Sequence, residues 1–387
     1  MKRIPYGRQS IGLTDAFELA KGVFSPWLTL GPHVEKFESD LCKVARSENA
    51  IVVSSGSAAL HCAYAAIDLG PGDEVITTPL TFASTATTAM NLGARVLFAD
   101  IQPRTGNLDP RSIESLVSPR TKAITVVDYA GLPADLDKIM AIGKKYAVPV
   151  IEDAAHSLGS FYKGNPVGSL ADITTFSFFP TKNITTGEGG AVVTNNLEFA
   201  RKARLFRSHG VIKKKEDLMD SSQGAWFQEV QSLGLNYRMS DLLARLGSNQ
   251  IRRIAKFRSQ RAKVFAEYGR ELASTHGVTL PHSDEDSKPM WHLYPVRVEP
   301  VDRRRIFDGL TAAGILVQVN YIPVNSHPYF RSIGYDPNST PRAKEFYDGE
   351  ISLPMFAGLR HADIKRICRE LKVLVPNGNP GHPSNVF

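Results

Sequence analysis

Between residues 50 and 151 the chain alternates short, unbroken apolar runs with stretches of helical periodicity. Ala50-Ile51-Val52-Val53, Glu74-Val75-Ile76-Thr77, Arg95–Ala99, Lys122–Val127 and Val148–Ile151 read as strands. The segments Ser57–Leu69, Thr81–Leu92 and Asp135–Tyr146 between them read as helices. Runs that are apolar at nearly every position belong to strands buried on both faces. Alternation with helices predicts an α/β fold with a mostly parallel sheet. Ligands of such sheets bind beyond the carboxyl ends of the strands. The residues that directly follow each apolar run are therefore where chemistry is to be sought.

After residue 240 the pattern changes. Ser240-Asp241 reads as the start of one long helix reaching about Leu272, and His292–Val298 reads as a strand. With 387 residues there is enough chain for two domains. The expected division is a large domain with an N-terminal arm over 1–249 and a smaller α+β domain over 250–375. Pro376, Gly378, Pro380, Gly381 and Pro383 mark 376–387 as an irregular tail.

Several function classes are excluded at this level. No apolar run is long enough to span a membrane, and Met1-Lys2-Arg3-Ile4-Pro5-Tyr6 lacks the apolar core of a signal peptide. Cys42, Cys62 and Cys368 lie far apart with no metal or redox spacing, as expected of reduced thiols in a cytoplasmic protein without a bound metal. The net charge is +7, and no nucleic-acid module accompanies it. The basic residues of Arg201–Arg207 read as a solvated helix face. Lys213-Lys214-Lys215 reads as a solvated, mobile loop or, more sharply, as a basic rim for the diphosphate of a phosphorylated substrate.

The chemistry-bearing residues follow the runs in order. Ser54-Ser55-Gly56-Ser57-Ala58 opens a helix, where backbone N–H groups and the Ser55 and Ser57 hydroxyls make either an anion site or an ordinary N-cap. Phe82 stands after the second run and suits either a planar ring or the core. Ile151 leads into Glu152-Asp153-Ala154-Ala155-His156, with Glu152 expected to face away. Ser177 lies in the apolar stretch Phe176–Phe179. Lys182 follows, just before Gly187-Glu188-Gly189-Gly190. A lysine held between a strand and a glycine-rich turn can lose its proton and act as a nucleophilic amine. A buried carboxylate such as Asp153 raises the pKa of a pyridine nitrogen beside it, and the protonated ring then accepts electrons. Lys182 with Asp153 therefore points to a Schiff-base enzyme using pyridoxal 5′-phosphate (PLP).

With Asn236-Tyr237-Arg238-Met239 downstream, this ordered set resembles the DegT/DnrJ/EryC1/StrS family of PLP-dependent sugar aminotransferases. The resemblance runs from Trp27–Pro32 to Ile351–Pro354. It implies an aspartate-aminotransferase-like fold, PLP fold type I, in a homodimer with shared active sites. Lys182 is then the Schiff-base lysine, and Asp153 pairs with the pyridine nitrogen. Phe82 and His156 flank the ring. Ser55, Gly56, Ser57, Ala58 and Ser177 line the phosphate site, with Asn236 reaching it from the partner subunit. Thr29, Tyr129, Lys182, Glu188, Asn320 and Tyr321 are the expected substrate contacts.

The family's dehydratases carry histidine in place of the lysine, so Lys182 favours transamination. The implied donor is L-glutamate and the implied acceptor a keto-sugar nucleotide. Asn183–Gly190 and Val127-Asp128-Tyr129-Ala130-Gly131 look like members that aminate C4 of an NDP-4-keto-6-deoxyhexose. One departure is Asn320, where many relatives have histidine. It keeps hydrogen-bonding capacity but no charge. The rival readings are a C3 keto-sugar or keto-cyclitol aminotransferase, and a PLP-binding regulator without turnover.

Overall fold

The computed structural model describes residues 3–220, 222–282 and 285–376. Its centre is a seven-stranded sheet in the spatial order Asn49–Val53, Gly190–Thr194, Ile173–Ser177, Val150–Asp153, Thr121–Val127, Glu74–Thr77, Arg95–Phe98. The last five strands pair parallel throughout. Gly190–Thr194 is antiparallel to both of its neighbours. The apolar runs of the sequence thus became the expected mostly parallel sheet, with one reversed strand inside it.

Register decides where the chemistry lies. Val127 stands opposite Asp153, and Asp153 opposite Thr175, so two neighbouring strands end level and the third, Ile173–Ser177, runs two residues further and carries Ser177 past them. The helix Gly56–Ala66 covers one face. Its Ala58, Ala59, Ala63 and Ala66 are buried, and small side chains let it lie close to the sheet. The opposite face buries Phe37, Leu41, Phe176, Phe178 and Met239.

The single long helix expected from residue 240 to Leu272 is in fact two, Asp241–Ile251 and Ile254–Leu272. Arg253 leaves helical geometry between them, and its guanidinium reaches Asp15 at 2.5 Å and Ser10 at 3.2 Å. Two contacts with the N-terminal arm hold a break that local periodicity does not announce. Beyond it, Tyr294–Arg297 pairs antiparallel with Glu350–Leu353. These strands share a core with Ile306, Leu310, Ile364, Ile367 and Leu371. Ile4 joins the same core and bonds Gly314 and Leu316 through its backbone. The arm therefore crosses the molecule and brings Tyr6 towards the sheet. Lys213 and Lys214 follow the short strand Val211–Ile212 and are exposed. Of the tail expected over 376–387, all but Pro376 lies outside the described residues.

Gly190 sits where the reversed strand passes the start of the first sheet helix. A Cβ there would lie 2.3 Å from the Ser55 carbonyl oxygen. Gly190→Ala is expected to destabilise the fold by ~1–3 kcal/mol, because neither backbone can retreat without breaking strand pairing. A lower denaturation midpoint with an unchanged m-value checks this.

Candidate active site

A cavity of about 340 Å³ opens at the carboxyl ends of the strands. Asp153 lies at its base as the last residue of its strand, buried. Its Oδ2 accepts a hydrogen bond from Thr85 Oγ1 at 2.7 Å, and its Oδ1 accepts from the Ala155 amide at 3.2 Å. Burial pushes the carboxyl above its usual range, although Thr85, Ala155 and the Lys182 charge pull it back. Such a group gains most from a cation or an N–H donor placed against it. Thr85 is held in turn by Thr81 at 2.8 Å, and its carbonyl accepts from Tyr64 Oη at 2.8 Å.

Lys182 is carried by a turn closed on itself. The Phe178 amide donates to the Gly189 carbonyl, and the amides of Lys182 and Thr186 donate back to Phe179 and Phe178. Asn183 clamps this turn from below. Its Nδ2 reaches the carbonyls of His156 at 2.8 Å, Met290 at 3.1 Å and Leu158 at 3.2 Å. The residue after the lysine thereby ties three loops of the site together. Burial lowers the Lys182 pKa from 10.5 to about 8, against the pull of Asp153. Its amine has no hydrogen-bond partner among the described residues.

His156 is buried, and burial together with the Lys182 charge holds its imidazole neutral, well below the usual range. Its Nε2 lies 3.0 Å from Tyr321 Oη, while its Nδ1 has no partner among the described residues. His292 lies beside it, ring centroid to centroid 4.4 Å, and is likewise kept neutral by burial.

At the opposite wall Ser55 caps the first sheet helix, accepting the Ala58 amide at 3.0 Å. The amides of Gly56 and Ser57 start the helix and have no intrahelical acceptor. Gly56 packs so closely on Ser177 that a Cβ would sit 2.8 Å from the serine Cβ. Glycine there lets Ser177 and the helix start face the same space.

Of the residues expected from sequence, the fold brings Ser55, Gly56, Ser57, Phe82, Asp153, His156, Ser177, Lys182, Glu188, Asn320 and Tyr321 around this one cavity. Glu152 faces away, accepting from Thr174 inside the sheet. Four others lie off the cavity wall. The Ala58 amide is taken by Ser55, and its side chain belongs to the core. Tyr129 is buried, and its hydroxyl donates to the Asn320 carbonyl at 2.5 Å, so it supports the wall from behind. Thr29 and Asn236 are exposed, in bridges to Ser240 and Ser208. Sequence reasoning missed Tyr6, Thr85, Thr181 and His292. His292 precedes an apolar run rather than following one, and Tyr6 arrives only through the path of the arm.

PLP carries a pyridine nitrogen, an aldehyde and a phosphate, and the cavity offers a counterpart to each. They are the buried Asp153 carboxylate, the unpartnered Lys182 amine, and the serine-rich helix start with Ser177. The residues present fit the group.

A family model for the DegT/DnrJ/EryC1/StrS aminotransferase family matches residues 12–372. A Campylobacter jejuni protein named UDP-4-amino-4,6-dideoxy-N-acetyl-beta-L-altrosamine transaminase is 38% identical, over 94% of this chain and 95% of its own. The solved structure of Helicobacter pylori PseC, an aminotransferase of pseudoaminic acid biosynthesis, superposes with a TM-score of 0.90 at 32% identity, covering 96% of this chain and 99% of that one. A PLP-form structure of the putative sugar aminotransferase Spr1654 from Streptococcus pneumoniae gives 0.89 at 27% identity, covering 96% and 98%. The chain belongs to the DegT/DnrJ/EryC1/StrS aminotransferase family, has the PLP fold type I, and uses PLP as its cofactor.

Two outcomes follow from the site geometry. Thr85→Val keeps the shape but removes the hydrogen bond to Asp153, and is expected to weaken PLP binding about tenfold. Fluorescence titration of the cofactor-free protein measures this. In that same protein, Lys182 is protonated and unreactive below about pH 8 and a free amine above it. Labelling of Lys182 by an amine reagent, followed by peptide mass spectrometry, should show a midpoint near pH 8 rather than the 10.5 of an ordinary lysine.

Proposed function

We propose that this member of the DegT/DnrJ/EryC1/StrS family carries an amino group from L-glutamate to a keto-sugar nucleotide, at C4 of an NDP-4-keto-6-deoxyhexose. The observation that carries the reading is Lys182, an unpartnered lysine with its pKa lowered to about 8, facing the same cavity as the buried Asp153. The acceptor is suggested by the Campylobacter jejuni relative, whose name describes an amino group on C4 of a 4,6-dideoxy sugar. The sequence around Lys182 points to the same carbon.

Bound PLP supplies an aldehyde that takes up the donor amine and a ring that stores the electrons of the breaking Cα–H bond. The protein's part is to place and move protons. Asp153 holds the ring nitrogen in its protonated form. Lys182 would take the proton from the donor Cα and deliver it, on the same face, to the carbon that carried the aldehyde, so that the donor leaves as its 2-oxo acid. A base whose pKa lies near neutral is suited to both transfers. Holding it within reach removes the entropy of a second encounter. The helix start and Ser177 bind the phosphate, and Phe82 and His156 bound the ring.

The reading includes a homodimer with shared sites. Leu13, Phe24, Trp226 and Leu233 are 91%, 88%, 82% and 90% exposed, large apolar side chains that a partner subunit would cover. The exposed Asn236 lies in the same region of chain as Trp226 and Leu233. A cytoplasmic location is in keeping with three cysteines that form no disulfide.

Adding L-glutamate to the PLP form should convert it to the pyridoxamine form, with 2-oxoglutarate released. A panel of 4-keto and 3-keto sugar nucleotides and keto-cyclitols then reports which acceptor restores the starting spectrum. A 4-keto-6-deoxy sugar nucleotide is expected to do so fastest. A faster 3-keto sugar or keto-cyclitol would replace the assigned acceptor, and no conversion with glutamate would favour a regulator. Lys182→Ala is expected to remain folded and to lose turnover entirely. The amine product named for the relative, with its UDP group, serves as a binding probe.

A further inference from the structure

Tyr6, Asn320 and Tyr321 line one wall of the cavity, Tyr129, Glu350 and Ser352 lie behind it, and Asn320 is held between them at almost every polar atom. Its amide N–H donates to Glu350 Oε2 at 2.7 Å. Its carbonyl accepts from Tyr129 Oη at 2.5 Å. Its Nδ2 donates to Tyr6 Oη at 2.6 Å and to Ser352 Oγ at 3.0 Å. Oδ1 has no partner among the described residues, on a side chain that lines the cavity. Ser352 Oγ donates in turn to Glu350 Oε1. Glu350 and Ser352 are both fully buried.

A serine hydroxyl has one proton to give. While Glu350 is ionised it takes that proton, so Ser352 can only accept from Asn320. The carboxamide must then turn its N–H₂ inward and leave its oxygen to the cavity. When Glu350 is protonated it donates to Ser352, whose own proton is released towards Asn320. The carboxamide now turns its oxygen inward and shows N–H to the cavity. Tyr6 Oη adapts to either arrangement, because a phenol both donates and accepts.

We propose that Glu350, acting through Ser352, is a positioning residue that sets which end of the Asn320 carboxamide faces the acceptor sugar. The wall then offers that sugar a hydrogen-bond acceptor or a donor according to the state of one buried carboxyl.

Glu350 titrates in a useful range. Burial pushes it up to about 8, against Ser352, the Asn320 amide and the Arg303 charge. The groups facing it are Tyr6 from the arm, Tyr129, Tyr321, Arg303 from the helix Pro300–Ala312, and Arg297, which stands opposite it on the paired strand and is lowered by burial. The three tyrosines are held far above their usual range by burial and stay neutral. His156, bonded to Tyr321, stays neutral as well. Arg261, beside Tyr6, is lowered by burial only to about 10. Lys182 titrates near 8 in the same cavity, so the test must separate the two groups.

The first arm needs no sugar. In protein labelled with ¹⁵N-asparagine, the Asn320 side-chain resonances are identified by their loss in Asn320→Asp. They are expected to shift with a midpoint near pH 8 in wild type and to be flat in Glu350→Gln and in Ser352→Ala. A flat wild type, or an unchanged titration in Glu350→Gln, overturns the proposal.

The second arm rests on the sugar-nucleotide reading. Calorimetry compares the UDP-amino-sugar probe with analogues methylated at the ring hydroxyl or at the acetamido nitrogen, which accept a hydrogen bond but cannot donate one. Discrimination against one analogue should be about tenfold greater near pH 9 than near pH 6.5 in wild type, and constant in Glu350→Gln. A merely structural Glu350 would leave the pH response of that ratio unchanged, which also overturns the proposal. Intact titration of Asn320 with no binding of any nucleotide supports the relay and counts against the sugar-nucleotide reading.

Discussion

A carboxylate buried at the end of a strand is the constraint on which this site is built. Asp153 has given up its water, and two hydrogen bonds from Thr85 and Ala155 do not by themselves make up for a charge in that position. A third partner is called for, and a protonated pyridine nitrogen would supply it. The surrounding architecture follows from keeping the pocket dry. Thr85 is fixed by Thr81 and Tyr64, and Tyr64 reaches Thr125 on the neighbouring strand. The same low polarity that raises Asp153 lowers Lys182 and keeps His156 and His292 neutral. One physical cause, desolvation, thus prepares the carboxylate, the amine and the imidazoles together.

Placement of these groups is a matter of backbone. Strand register puts Val127, Asp153 and Thr175 in a row, and the turn from Phe178 to Gly189 returns Lys182 over them. Asn183 joins this turn to the His156 loop and to Met290 with one side-chain amide. The residues after the lysine, which on sequence suggested a choice of carbon on the sugar, therefore also hold the lysine still.

Much of this was legible before folding. Strand runs with polar residues just beyond them located Ser55, Ser57, Phe82, Asp153, Ser177 and Lys182, because parallel strands collect their carboxyl ends on one edge. Thr85, Tyr6 and His292 escaped for different reasons. Thr85 is the second residue of the helix Ser84–Asn91, where nothing in the local sequence marks it as facing a carboxylate. Tyr6 is more than a hundred residues from any neighbour in the cavity apart from the 55–84 segment. His292 read simply as the start of a strand. The break at Arg253 was hidden similarly, since its partners Asp15 and Ser10 lie at the other end of the chain.

The sequence by itself determined the class of fold and the chemistry at its centre. Hydrophobic periodicity is local, and a lysine and an aspartate in a strand-end pattern keep their meaning wherever the loops go. Tertiary structure alone decided the state of each group. The lowered lysine, the neutral imidazoles and the buried Glu350 all depend on how much water packing removes, and no run of residues encodes that. It also decided the Asn320 wall, where an arm, a turn and two C-terminal residues from distant parts of the chain leave Asn320 with one polar atom unpartnered among the described residues.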